Sequence, residues 1–292
     1  MSGSAPRYAF FAENPLDLLQ AMVLAGEALR AGKPPVVVTT LPLRDLERYK
    51  SSERRTAWES VIIREIRGPR AKLSAAIAGI CDADAIESIA VFGSGTDCPA
   101  VQVGAVRSLP VTRIGSREAG RILTAELPAL LDAARADAGL GLIEQPPETS
   151  YILAEFPLYP RLRSMGAGRL VSTLIEVAEA HELPVVWPLT QVERRKLGLT
   201  GNFAPLECVE RPEIAAWTLM LSGARLIMTH ITNVQIAACV LGVPCVSALQ
   251  KTEAPETVQV GANLLAGANV AQIHLCVGIM ARKLSRWNNP YE

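Results

Sequence analysis

Short apolar runs alternate with longer amphipathic ones along the whole chain. The apolar runs at 8–12, 36–40, 61–66, 86–93 and 110–114 are too short for ordinary helices. Several are rich in β-branched residues, as in Val36-Val37-Val38-Thr39-Thr40. Such runs read as strands buried on both faces of a parallel sheet. Between the first two, residues 15–31 carry apolar side chains at helical spacing, with Pro15 suited to the first turn and Gly32 near the stop. Further helices are expected at 71–80, at about 99–107 and at 121–136. Residues 43–59 are charged and helical or loop-like. A second series follows: strands at 151–154, 184–187, 225–228 and 243–247, and helices at 168–181, 212–223, 234–241 and 269–287. Between the series, residues 139–150 (GLGLIEQPPETS) bear Gly and Pro and no period, and read as a linker. This alternation predicts an α/β protein of two doubly wound parallel-sheet domains with an interdomain cleft. The expected bounds are 1–140 for the first domain, 141–150 for the linker and 151–292 for the second.

Composition narrows the function classes. The chain has 292 residues, 49% hydrophobic and 20% charged, enough for a sizeable core. Lys+Arg and Asp+Glu are both 29, which argues against nucleic acid or an anionic membrane surface as the main partner. No apolar run reaches about 18 residues, so no membrane span is expected. The N-terminus lacks a signal-peptide pattern, leaving the cytoplasm as the default location. The six cysteines are scattered without a CxxC spacing and read as free thiols, three of them in apolar runs; no metal site is expected.

The most informative stretch runs from Ala224 to Gly267. A strand stops at Thr229-His230, a polar break and a helix follow, Gly242 ends the helix, and a second strand leads into a polar loop. Its motifs are Thr229-His230-Ile231-Thr232-Asn233, Gln235-Ile236-Ala237-Ala238, Val240-Leu241-Gly242-Val243-Pro244, Thr252-Glu253-Ala254-Pro255-Glu256, Val260-Gly261-Ala262 and Leu265-Ala266-Gly267. In order and spacing these resemble the UDP-N-acetylglucosamine 2-epimerases, which carry T-D-S-G-G, Q-E-E-A, A-L-G-V-P, T-T-E-R-P-E, A-G-T and L-V-G. Pro184-Val185-Val186-Trp187-Pro188 and Asn289-Pro290-Tyr291 are similar to further motifs of that family. The resemblance covers about 184–292 well and the first 150 residues weakly.

The resemblance implies a GT-B-like fold and a UDP-sugar as ligand, with no cofactor and with a homodimer as the family's habit. It also implies a reaction in which UDP is eliminated and re-added with inversion at C2. That chemistry needs proton carriers near the sugar and cations or helix N-termini for the diphosphate. Many of the matching positions differ here. The family's Asp-Ser-Gly-Gly becomes His230-Ile231-Thr232-Asn233, the second Glu of Q-E-E becomes Ala237, and the Arg of T-E-R-P-E becomes Ala254. The H-R-R-E-N turn becomes Glu155-Phe156-Pro157-Leu158-Tyr159, and the P-x-H strand end becomes Pro188-Leu189-Thr190. The expected function is therefore UDP-sugar binding with altered or absent epimerase activity. The alternatives are a glycosyltransferase-like enzyme of the same fold and a non-catalytic partner protein. A site filled by Phe156, Tyr159 and Ile231 would favour the last.

The candidate residues each have two readings. His230, ending a strand at the cleft, is a catalytic or phosphate-donating group, or a capping or packing histidine. Glu118, aligned loosely with a family helix start, is a proton carrier or an acid suited to the positive end of a helix; Arg121, three residues further along, is its companion as a ligand contact. Ser94 and Thr96, in the turn Gly93-Ser94-Gly95-Thr96, could present backbone donors to a phosphate. Thr232 and Asn233 are expected to cap the following helix, which is compatible with ligand contact. Gln235 and Glu253 are retained from the family. They read as ligand contacts, or as a cleft-floor residue and a solvated loop carboxylate respectively.

Overall fold

The computed structural model describes residues 7–33, 35–41, 61–66, 70–92, 98–142, 146–156, 166–199, 201–283 and 287–292. The chain forms two compact units, Met1–Ile122 and Leu123–Glu292.

The first unit holds strands β1 (Arg7–Ala12), β2 (Pro35–Thr39), β3 (Ile62–Glu65), β4 (Ile86–Phe92) and β5 (Val111–Ile114). They form one sheet in the order β3-β2-β1-β4-β5, every pair parallel. The valine run of β2 is buried on both faces, with Val36 and Val38 in one core cluster and Val37 in the other. Helix α1 (Pro15–Arg30) starts where the Asn14 side chain accepts the Asp17 N–H at 2.9 Å, with Pro15 in its first turn. It lays Leu18, Ala21, Met22 and Ala25 on the Val37 face. Helices α2 (Arg70–Ala83) and α3 (Pro99–Arg107) precede and follow β4.

Helix α4 (Ser116–Gly139) starts five residues earlier than its apolar period suggests, and the unit boundary falls inside it. Its second part belongs with the second unit, where Asn289 Nδ2 donates to Thr124 Oγ1 at 3.0 Å.

The second unit contains β6 (Ile152–Glu155), α5 (Ala167–His181), β7 (Val185–Pro188), α6 (Gln191–Leu197), β8 (Leu206–Val209), α7 (Ile214–Gly223), β9 (Leu226–Thr229), α8 (Thr232–Val240), β10 (Cys245–Ser247), α9 (Pro255–Gln259), β11 (Asn263–Leu265) and α10 (Val270–Met280). Its six strands are parallel and ordered β11-β10-β9-β6-β7-β8. Counted from β6, this is the doubly wound order 3-2-1-4-5-6. One face packs Ile152, Ala154, Val185, Trp187, Leu226 and Met228 against Leu170, Leu174 and Val177 of α5 and Ile273, Val277 and Met280 of α10. Each fully buried aliphatic side chain contributes about 1.5–3 kcal/mol of transfer free energy.

Four short elements, α6, β8, α9 and β11, have three to seven residues each and no period long enough to read. The last helix ends at Met280 rather than continuing to 287. Arg225 Nε donates to the Ala281 carbonyl at 2.7 Å at that end, and Trp287 instead donates its indole N–H to Cys239 O at 3.0 Å. All six cysteines are unpaired. No described helix is long and apolar enough to cross a membrane.

Candidate functional site

The second sheet reverses its winding between β6 and β9. In open parallel sheets, the carboxyl ends of such strands form the ligand crevice. Glu155 and Thr229, the last residues of the two strands, are paired in register. The Thr229 hydroxyl donates to Glu155 O at 2.8 Å and accepts the Ile231 N–H at 3.0 Å. One buried threonine thus joins the two strand ends and sets the entry into α8.

Ile231 occupies the N-cap position of α8 in extended backbone (φ −89°, ψ 120°), and no side chain caps the helix there. Thr232 and Asn233 are its first two residues, so neither is the expected cap. The β-region geometry needed for capping falls one residue earlier, on a side chain without an oxygen. The positive end of α8 therefore meets the crevice without a capping side chain.

His230, 7% exposed, lies against Phe156 with ring centroids 5.5 Å apart, and Phe156 meets Trp187 edge-on at 6.4 Å. Phe156 belongs to the core cluster and Ile231 is half-buried, while Tyr159 lies outside the described residues.

Glu155 is buried at the same edge. Trp217 Nε1 donates to its Oε1 at 2.5 Å, and Arg211 Nη1 stands 3.5 Å from Oε2. Arg211 also donates to Pro188 O at 3.1 Å and lies 3.7 Å from Glu193, which forms a capping box with Thr190 at the start of α6. The segments following β6, β7 and β8 are tied through this one guanidinium. Burial pushes the Glu155 carboxyl above its usual range, with Arg211 and the Trp217 hydrogen bond opposing that shift.

Gln235 anchors a second network. Its Oε1 accepts from Thr252 Oγ1 at 2.6 Å and from Asn263 Nδ2 at 3.0 Å, and Asn263 also accepts from Ser247 Oγ at 2.8 Å. Gln235 has no exposed surface, and among the described residues its Nε2 has no hydrogen-bond partner. The Thr252 bond brings the loop carrying Glu253, itself half-buried, to the first turn of α8.

His230, Thr232, Asn233, Gln235 and Glu253 thus gather around the start of α8. Glu118 and Arg121 are exposed in the first turns of α4, in the first unit. Ser94 and Thr96 lie outside the described residues. The Glu155–Trp217–Arg211 network is absent from the sequence-derived candidates. Its one visible signal is a carboxylate ending the apolar run Tyr151-Ile152-Leu153-Ala154. Among the described residues, no three His, Cys, Asp or Glu side chains group so as to hold a metal ion.

Residues 150–292 match the family model described as UDP-N-acetylglucosamine 2-epimerase. The UDP-N-acetylglucosamine 2-epimerase of Methanococcus maripaludis is 31% identical over 130 residues, covering 42% of this chain and 36% of that protein. That of Methanocaldococcus jannaschii is 30% identical over 128 residues, covering 42% and 35%. The matched stretch spans about a third of these relatives' own length. In structure, the chain is similar to the Methanocaldococcus jannaschii UDP-GlcNAc 2-epimerase in complex with UDP-GlcNAc and UDP (TM-score 0.69, 16% identity, 98% of this chain and 96% of that one). It is also similar to the Neisseria meningitidis UDP-GlcNAc 2-epimerase bound to UDP-GlcNAc (TM-score 0.68, 13% identity, 98% and 96%). The two parallel-sheet α/β units match the GT-B fold of those enzymes.

Proposed function

Because its second half is a divergent relative of the UDP-N-acetylglucosamine 2-epimerases, we propose that this protein binds a UDP-sugar at the carboxyl edge of the second sheet and that its epimerase chemistry is altered or absent. The observation that carries the binding is the start of α8, a helix N-terminus without a capping side chain at the winding reversal of the sheet. A diphosphate there accepts first-turn N–H groups and meets the positive end of the helix dipole. Among the described residues the Nε2 of Gln235, buried beneath that turn, has no hydrogen-bond partner. The bound nucleotide sugars of the Methanocaldococcus and Neisseria enzymes support the ligand class.

Elimination and re-addition of UDP require an acid and a base that reach the sugar. His230 is buried against Phe156, and Glu155 is enclosed by Trp217 and Arg211. Ala237 and Ala254, fully buried, stand at two further positions where the resemblance implies a Glu and an Arg. These features support retention of the diphosphate site with changed proton transfer.

The test combines a thermal-shift titration with UDP and UDP-sugars and NMR of the same mixtures in D2O. Saturable stabilisation without deuterium entering C2 of UDP-N-acetylglucosamine is the expected result. Deuterium incorporation would reject the loss of epimerase chemistry, and no stabilisation by any of these nucleotides would reject the binding.

A further inference from the structure

The second unit has a pocket of about 360 Å³ far from the start of α8, lined by Ser150, His181, Glu182, Arg225 and Arg282 among others. Ser150 shortly precedes β6 and Arg225 immediately precedes β9, so the pocket lies at the amino ends of the strands. We propose that it is a second ligand site, for a small oxyanion with two or more negative charges, such as a phosphate or a polycarboxylate. Arg225 and Arg282 supply the charge, and His181 and Ser150 supply further hydrogen bonds.

Arg225 uses Nε to cap the Ala281 carbonyl, which leaves its terminal amino groups for a ligand. Among the described residues neither Arg225 nor Arg282 forms an ion pair, although Glu182 lines the same pocket. With His181 neutral, two arginines and one glutamate give the lining a formal charge of +1. The C-terminal ends of α5 and α10 oppose an anion here, which makes the guanidinium charge necessary to the site. A planar guanidinium presents paired donors suited to carboxylate or phosphate. The volume falls at the small end of ligand sites and suits a compact anion better than a nucleotide.

His181 completes the case. Its Nε2 is buried and has no hydrogen-bond partner among the described residues, an arrangement that needs an explanation. The ring stacks on His274 with centroids 6.0 Å apart, and His274 Nε2 is 3.8 Å from Glu176. Gly278 lies beside the ring, where a Cβ would sit 3.4 Å from His181 Cε1. Burial first, then His274 and Arg282, hold His181 below the usual histidine range. An anion in the pocket favours the protonated ring, so binding strengthens as pH falls. The titratable and charged groups around it are His274 and Glu176 at the α5–α10 contact and Glu182, Arg225 and Arg282 around the pocket.

The test is a thermal-shift titration of the whole chain with sulfate, a dianion at both pH values that stands in for phosphate, and with citrate, against chloride at matched ionic strength, at pH 6 and pH 8. The expected response to at least one of them is saturable, larger at pH 6, and weakened at least tenfold in apparent affinity by Arg282→Ala. His181→Gln removes the pH dependence, and the response to UDP persists in both variants. The probe that saturates at lower concentration tells phosphate from polycarboxylate. Failure of both anions to saturate, or equal responses in wild type and Arg282→Ala, overturns the proposal whatever the outcome with UDP.

Discussion

Trp217 donates its indole N–H to the Glu155 carboxylate at 2.5 Å, inside the edge of the sheet where a ligand would bind. The two residues are 62 positions apart, and their bond joins the end of β6 to the middle of α7. A carboxylate so placed is costly to bury, and its partners decide whether the edge keeps its shape.

Trp217→Phe removes the donor and also trims a buried ring, so the cost is at least that of the hydrogen bond. That bond is expected to contribute about 1.5–3 kcal/mol, the range for a hydrogen bond to a charged group. Urea denaturation at constant pH measures the loss. A cost below about 0.5 kcal/mol would mean that the bond contributes little.

The same carboxyl gives stability a pH dependence of known sign. Its folded-state pKa is raised above the ordinary 4.5 by burial, so the native state keeps a proton in a range where the unfolded chain has lost it. This contribution to stability is greatest below about pH 4.5 and declines as pH rises through the raised value. Glu155→Gln should lack that decline, so its stability relative to wild type should increase with pH across the window. Paired denaturation curves at several pH values check this, and a constant difference would contradict it.

Gln235→Leu leaves Asn263 Nδ2 and the Thr252 hydroxyl without their shared acceptor. A loss of about 2–4 kcal/mol is expected from the buried unsatisfied groups and the broken network. Hydrogen exchange should show faster opening of residues 248–257, the loop that Thr252 fastens to α8. Unchanged protection there would separate that loop from Gln235.

Ile231→Asp tests the open helix end from both sides. Position 231 already has N-cap backbone geometry, so Asp should stabilise the ligand-free protein by about 1 kcal/mol. The same carboxylate occupies the anion site, so UDP binding should weaken by at least tenfold. Stabilisation without loss of UDP affinity would place the nucleotide elsewhere.

Much of the architecture was legible in the chain itself, for reasons particular residues make plain. Val36, Val37 and Val38 could only be a strand covered on both sides, and Pro15 after Asn14 marked the start of α1. The motif spacing from Thr229 to Gly267 led to the fold family. Thr232 and Asn233 are good capping residues by type, yet Thr229, bonded both to Glu155 O and to the Ile231 N–H, starts the helix after Ile231. The network of Glu155, Arg211 and Trp217 was hidden because its members come from β6, the segment after β8, and α7. No local pattern links residues that only the sheet order brings together. The partner role of Gln235 was unreadable for the same reason, since Asn263 is 28 positions away.

The proposed UDP-sugar site lies at the start of α8. Titration calorimetry of wild type and Ile231→Asp with UDP tests it most directly. The account predicts saturable binding by wild type that is at least tenfold weaker in the variant; equal affinity in the two proteins, or no binding by wild type, would contradict it.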